Sequence, residues 1–237
     1  MNDMNGAIGG DPSSVSGHYP ELGRFEGLTA AIRATAAEHG ISLGDEPRPT
    51  VVDWTPQVAA FESPGRRMKV NVLLEERGFV IWLGSGRGLL SSASGTTADI
   101  VETARVIAAW KKGATLKELS DSFPFMTYSR LSQGYEDGNP EAVMWHLLLE
   151  NQEFTQYRDL LAALHAEPRL AEMFPFFSMW TLRLARDAYR EQAGELLIQQ
   201  QADGSYLLWS SKAEEDKREF RRLDDLVAAA VALRTVL

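Results

Sequence analysis

The chain has no cysteine. That excludes disulfide cross-links, thiolate nucleophiles, iron–sulfur ligation and zinc sites built on cysteine, and it fits a reducing compartment. Histidine is scarce as well. His18, His39, His146 and His165 are dispersed, and none has a serine and a carboxylate at a spacing that suggests a nucleophilic triad. The longest uninterrupted apolar run, near residues 227–233, is far short of the ~20 residues that span a bilayer. Residues 1–17 have neither a basic start nor an apolar run, so a secretory signal is not expected there; their Gly, Ser, Asn and Asp content reads as a mobile tail. Positive charge is in deficit: 24 Lys and Arg stand against 33 Asp and Glu, a net charge of −9. Such a surface repels phosphate backbones and anionic lipid, so nucleic acid and membranes are not expected partners, and a neutral or basic partner fits better.

What is present is enough for a folded protein. With 237 residues, 44% of them apolar and 24% charged, the chain can bury the core of one large domain or two small ones. Residues 21–39 carry Phe25, Leu28, Ile32 and Ala36 at helical spacing, and Gly40 ends that helix. The rhythm then changes. Residues 50–63 read as extended, and Met68, Val70, Val72 and Leu74 alternate with polar residues. Strands at 79–83 and 89–93 follow, separated by glycine turns, which makes an antiparallel meander. A helix over 98–111, with Thr96 and Asp99 as its capping pair, has an apolar stripe that must cover one face of the meander.

The middle reads as helical. Thr115 and Glu118 form a capping box, Asn139 and Pro140 open a helix to 150, and a further helix runs over 153–165. Residues 170–174 read as a turn. The end returns to strands at 179–186, 196–200 and 206–210, then a charged run at 212–222 that reads as a linker or helix start, and a helix at 223–236. Residues 78–82 resemble 204–209, and Asp99-Ile100-Val101 resembles Asp225-Leu226-Val227, with nearly the same offset. The expected class is therefore α+β: two antiparallel meander-plus-helix units, an internal duplication on one reading, joined by a helical middle. The expected divisions are a tail at 1–20, units at 21–113 and 178–237, and a helical middle at 114–177; all of these can also form one compact domain.

No motif dictates a chemistry. His146 and Glu150 share a helix face and could serve as an acid–base pair, with Tyr157 and Arg183 as further catalytic candidates. Structural roles at a core edge compete with that reading, and no third and fourth ligand stand near them, so neither a metal nor a cofactor is expected. His165 and His39 read as helix-end residues. The glycine-rich stretch 84–88 lacks the spacing and lysine of a phosphate loop and reads as a hairpin turn with Arg87 at its tip, where it could meet an acidic ligand. Phe123-Pro124-Phe125 and Phe174-Pro175-Phe176 are matched aromatic breaks. They are core plugs or, with Trp145, the lining of a cleft, which makes Trp145, Phe125, Phe176 and Arg87 the candidate ligand-binding residues. The six tryptophans divide in the same way: most should be core, and an exposed cluster of them would mark a binding surface.

The second half carries a resemblance. His165, Glu167 and Pro168 to Leu170, then Phe174-Pro175-Phe176, an alternating strand, an Asp203-Gly204 hairpin and an Ala/Val-rich last helix resemble an actinobacterial natural product biosynthesis family, domain of unknown function 6193. Ala109-Trp110 and Phe123-Pro124-Phe125 extend it to about residues 25–237, and 212–222 looks like an insertion. The resemblance implies a bacterial, cytoplasmic protein encoded near specialised-metabolite genes. It implies no reaction and no catalytic residues. The first expectation is a binding or accessory protein holding a peptide, a partner protein or a small molecule. The alternatives are a cofactor-independent acid–base enzyme acting by cyclisation, isomerisation or elimination, and a toxin-neutralising or regulatory protein.

Overall fold

Alternation at 68–72 decides the first sheet. Met68, Val70 and Val72 point inward and are buried while Arg67 and Lys69 face out, because successive side chains of a strand take opposite faces. The computed structural model describes residues 17–44, 56–85, 92–189 and 193–237. Residues 1–16 of the expected tail, residues 50–55 of the expected extended run at 50–63 and residues 89–91 of the expected strand at 89–93 lie outside them. The chain forms two compact units, Met1–Ser129 and Arg130–Leu237. The fold is α+β, with two separate five-stranded antiparallel sheets among the described residues.

In the first unit, helices α1 (Pro20–Arg24) and α2 (Leu28–Glu38) precede strands β1 (Val58–Ser63), β2 (Arg66–Val72), β3 (Phe79–Ser85) and β4 (Ala93–Thr97). Helices α3 (Ile100–Lys111) and α4 (Leu116–Ser122) and the short β5 (Met126–Thr127) complete it, and the strands lie in sequence order. The single helix expected at 21–39 is two. Gly27 takes φ 96°, and Leu28 N–H donates to the Pro56 carbonyl, so the chain turns there before the apolar stripe begins. Asp99, not Thr96, caps α3, its carboxylate accepting from Val101 N–H at 2.7 Å, and the Thr115–Glu118 capping box is present. The core joins Leu28 and Ile32 of α2, Val106, Ile107 and Trp110 of α3, and Phe61, Met68, Phe79 and Ile81 of the sheet. Tyr19, within the expected tail, is buried. Its hydroxyl lies 2.9 Å from the carbonyls of Leu73, Glu76 and Gly78 and accepts from Gly78 N–H, tying the start of the unit to the β2–β3 turn.

Arg66 shows how a sheet holds a helix end. Its guanidinium donates to the carbonyls of Trp110, Ala114 and Gly113, which close the C-terminus of α3, and lies 3.9 Å over the Trp110 ring. Three carbonyls at and just beyond the helix end gain a cationic donor, placed at the negative end of the helix dipole. Arg66→Ala is expected to destabilise the protein by about 1–2 kcal/mol, and Arg66→Lys to recover less than half of that because lysine lacks the planar fork. Urea unfolding of the three proteins tests it, and equal midpoints would refute the role.

In the second unit, α5 (Arg130–Asp137), α6 (Pro140–Glu150), a 3-10 segment (Gln152–Tyr157), α7 (Arg158–Ala166) and α8 (Pro168–Ala171) come first. Strands β6 (Phe174–Ser178), β7 (Thr181–Ala185), β8 (Glu195–Gln200), β9 (Tyr206–Ser210) and β10 (Ala213–Phe220) form a meander, and α9 (Leu223–Arg234) closes it. The helical middle is thus shared: α4 belongs to the first unit and α5 to α8 to the second. Leu182, Leu184, Leu196, Ile198 and Leu208 form the inner face, packed with Leu160, Leu161 and Leu164 of α7 and Leu226 and Ala230 of α9.

Two stretches differ from expectation. The charged run at 212–222 is mostly β10, an edge strand whose exposed charges discourage pairing with another chain. Ser210 pairs with Ala213 and Leu208 with Arg218, so two steps along β9 face five along β10, and a bulge absorbs the extra residues. The expected turn at 170–174 spans the end of α8 and the first residue of β6, a strand the sequence does not lead one to expect; the expected strand at 179–186 is present as β7, and β6 and β7 form a hairpin whose two-residue turn is Met179-Trp180.

The repeat seen in the sequence has a structural counterpart. β1 to β4 with α3 follow the same order as β7 to β10 with α9, and Trp82 and Trp209 both lie on the sheet face turned away from the inner apolar row. The fifth strand differs. β5 adds beside β4 in the first unit, and β6 adds beside β7, at the opposite edge, in the second.

Candidate binding surface

The eight residues singled out in the sequence scatter. His146 and Glu150 are exposed on α6, and Glu150 pairs with Arg130 at 2.7 Å on the surface. Tyr157 is buried against the Phe177 ring on the inner side of the second sheet. Arg183 lies on the other side of that sheet, since Leu182 and Leu184 face inward. Trp145 is fully buried, its indole N–H donating to the Met173 carbonyl at 3.1 Å, so it is core rather than cleft lining. Phe125 packs at the edge of the first unit's core beside Phe123. Arg87 lies outside the described residues. The six tryptophans divide too: Trp110, Trp145 and Trp209 are buried, Trp82 is half-buried, Trp54 lies outside the described residues, and Trp180 is exposed.

Among the described residues, only Arg183 and Phe176 of these candidates come together across the sheet. They are cross-strand partners of β6 and β7, with the guanidinium 5.6 Å from the ring centroid. Pairing continues the row through Leu197 of β8 to Trp209 of β9, whose ring has the Lys217 ammonium 4.6 Å away. One step along, Ala185 pairs with Glu195, and this puts the Glu195 carboxylate 2.5 Å from the Arg183 guanidinium. Glu195 is buried and Arg183 about one-third exposed, with its Nε–H buried and lacking a hydrogen-bond partner among the described residues. Phe174, Tyr135 and Tyr189 extend the aromatic rim: Phe174 is 6.3 Å from Phe176, Tyr135 is 6.1 Å from Phe174, and Tyr189 is 5.3 Å from Tyr135. Burial pushes the Tyr135 hydroxyl above its usual range, so it stays a neutral donor, directed at the Ala188 carbonyl.

Sequence reasoning did not select Glu195. Its only signal is positional: if β7 and β8 pair about the loop at 186–194, Arg183 and Glu195 fall on one face within reach of each other.

The histidines form a different cluster. The His165 ring lies 5.2 Å from Trp145 and 6.0 Å from His146. Burial, and then the neighbouring His146, hold the His165 imidazole below its ordinary value of 6.5. The folded state therefore binds the proton less well than the unfolded chain, so stability is fully present above pH ~6.5 and declines as pH falls through the lowered value. His165→Gln is expected to flatten the fall of the unfolding midpoint between pH 7 and 5. An unchanged slope would show that His165 does not titrate in the transition.

Among the described residues there is no group of three or more His, Asp or Glu suited to a metal ion, and no helix is long and apolar enough to cross a membrane.

Residues 141–233 match the model of a family of unknown function, DUF6193. The match lies within the second unit and runs from α6 to the last turn of α9, so it is narrower than the resemblance over 25–237 expected from the sequence. No curated protein and no solved structure matches the chain.

Proposed function

We propose that this chain is a binding or accessory protein of bacterial natural product biosynthesis that holds a peptide or small molecule against the outer face of its C-terminal sheet. The observation that carries this reading is Arg183. Its guanidinium is held against the Glu195 carboxylate and the Phe176 ring and is still about one-third exposed. A ligand carbonyl or carboxylate laid beside Phe176 would accept from the exposed N–H groups of that fixed fork, and the flanking rings would hold its apolar part. The biosynthetic context rests on the resemblance of the second half to its family. The acid–base alternative draws less support, because His146 and Glu150 are solvated on α6 and Tyr157 and Arg183 stand on opposite sides of the sheet.

The test is purification from the native host with mass spectrometry of what stays bound. Wild type should retain one enriched peptide or small molecule. Arg183→Lys keeps the charge facing Glu195 but loses the fork, and should retain about tenfold less. Equal retention by the folded variant, or nothing enriched on wild type, would reject the reading.

A further inference from the structure

A second feature of the same sheet stands on different evidence. The β6–β7 turn places Met179 at φ 49° and Trp180 at φ 62°. These are the only non-glycine residues with positive φ among the described residues; the other eight such positions, from Gly27 to Gly204, are all glycine. The left-handed region brings an L-residue's Cβ against the following carbonyl, and Asn, Asp and Gly are the residues that usually relieve it in a two-residue hairpin turn. Here the two most hindered positions carry two of the largest apolar side chains. Both point to solvent, with Met179 94% and Trp180 65% exposed. Neither side chain makes a hydrogen bond or ring contact among the described residues.

The turn is also rigidly presented. Five consecutive pairs run from Phe174–Ala185 up to Ser178–Thr181. Just below the tip Phe177 is clamped on the inner side, stacked on Phe154 at 4.4 Å and 8°, with Tyr157 4.8 Å away. A strained, exposed, apolar tip on a braced hairpin contributes nothing visible to the fold, whereas it meets a partner at little cost in ordering.

We infer that the β6–β7 hairpin is a docking finger whose Met179 and Trp180 side chains enter an apolar socket on a protein partner. Tryptophan is the commonest anchor of such sockets, and methionine adapts to irregular apolar walls. The socket should offer an acceptor to the Trp180 indole N–H. Its rim should be neutral or basic, because Glu153 is exposed beside Phe154 and the chain carries a net charge of −9. Lipid is the poorer occupant. Membrane-seated tips pair aromatic residues with lysine or arginine, and none occurs between Arg169 and Arg183.

The experiment uses the full chain with a photoreactive diazirine amino acid at Met179, and a control chain with the same group at Val236, which is 72% exposed. Both are irradiated in native-host extract, and the cross-linked protein is identified, purified and titrated against wild type and the M179N/W180G variant. Those replacements suit the turn, so the variant keeps its fold, which its circular dichroism confirms. The same two proteins are sedimented with vesicles of neutral and of mixed neutral and anionic phospholipid. The expected result is one saturable protein cross-link at 179 that is absent at 236, and affinity lowered about 30-fold or more in the variant. Equal affinity of the variant, no cross-link above the 236 control, cross-links only between copies of this chain, or vesicle binding that M179N/W180G abolishes would each overturn the inference.

Discussion

Replacing Met179 by asparagine and Trp180 by glycine is expected to make the protein more stable, by about 2–3 kcal/mol. Each left-handed L-residue costs about 1–2 kcal/mol relative to one suited to that region. Both side chains lie mostly in water, so removing them sacrifices little buried area. Asn-Gly is the favoured pair for a hairpin turn with positive φ at both central residues. Part of the gain is offset by the added freedom of glycine in the unfolded chain, about 0.5–1 kcal/mol. Denaturant unfolding and a thermal midpoint raised by several degrees are the readouts. A neutral or lower stability would mean that the tip is not strained as its backbone angles indicate. A gain in stability alongside lost partner binding would be the signature of a strain kept for recognition.

The opposite extreme is Trp145. Its ring is fully buried between α6 and the approach to β6, faces His165, and donates its indole N–H to the Met173 carbonyl. Trp145→Ala removes that contact area, opens a cavity and leaves a carbonyl without its donor. The expected loss is about 3–5 kcal/mol. Trp145→Phe keeps most of the volume and loses the hydrogen bond, so it should cost about 1–2 kcal/mol. Hydrogen exchange localises the effect: protection should fall across residues 140–150 and 173–178. A Trp145→Ala protein within 1 kcal/mol of wild type would contradict the packing described for the second core.

These two tryptophans show why the candidate site was only partly legible in the sequence. Trp145 and Trp180 have the same side chain, and nothing local distinguishes the core residue from the exposed one. The helical spacing around Trp145 put it on α6, but its burial depends on α8 and β6 arriving beside it. The turn at Met179-Trp180 was hidden because its chemistry contradicts its conformation: no glycine, asparagine or aspartate marks it. Pro175 hid β6 in the same way, since proline is usual at a strand edge and rare in a central strand. β10 reads as a linker or helix start in the sequence because charge at nearly every position leaves no apolar period to detect. Arg183 and Phe176 both stand out in the sequence, but for different roles. Their partnership, and the addition of Glu195, required the β6–β7–β8 register.

What the residues alone determined is what has a period or a cap. Met68, Val70 and Val72 define an inner face wherever their strand sits, and Thr115 with Glu118 begins a helix whatever packs on it. The order of meander, helix and helical middle follows from those local rules, because alternation and capping act over two to four residues. The tertiary structure alone decided that β6 and β10 join the second sheet, that the fifth strand joins opposite edges in the two units, and that a carboxylate from β8 meets a guanidinium from β7. Those are contacts between residues far apart in the chain, chosen by the burial of whole faces. The same cooperation holds Met179 and Trp180 in a backbone conformation that neither residue would adopt by itself.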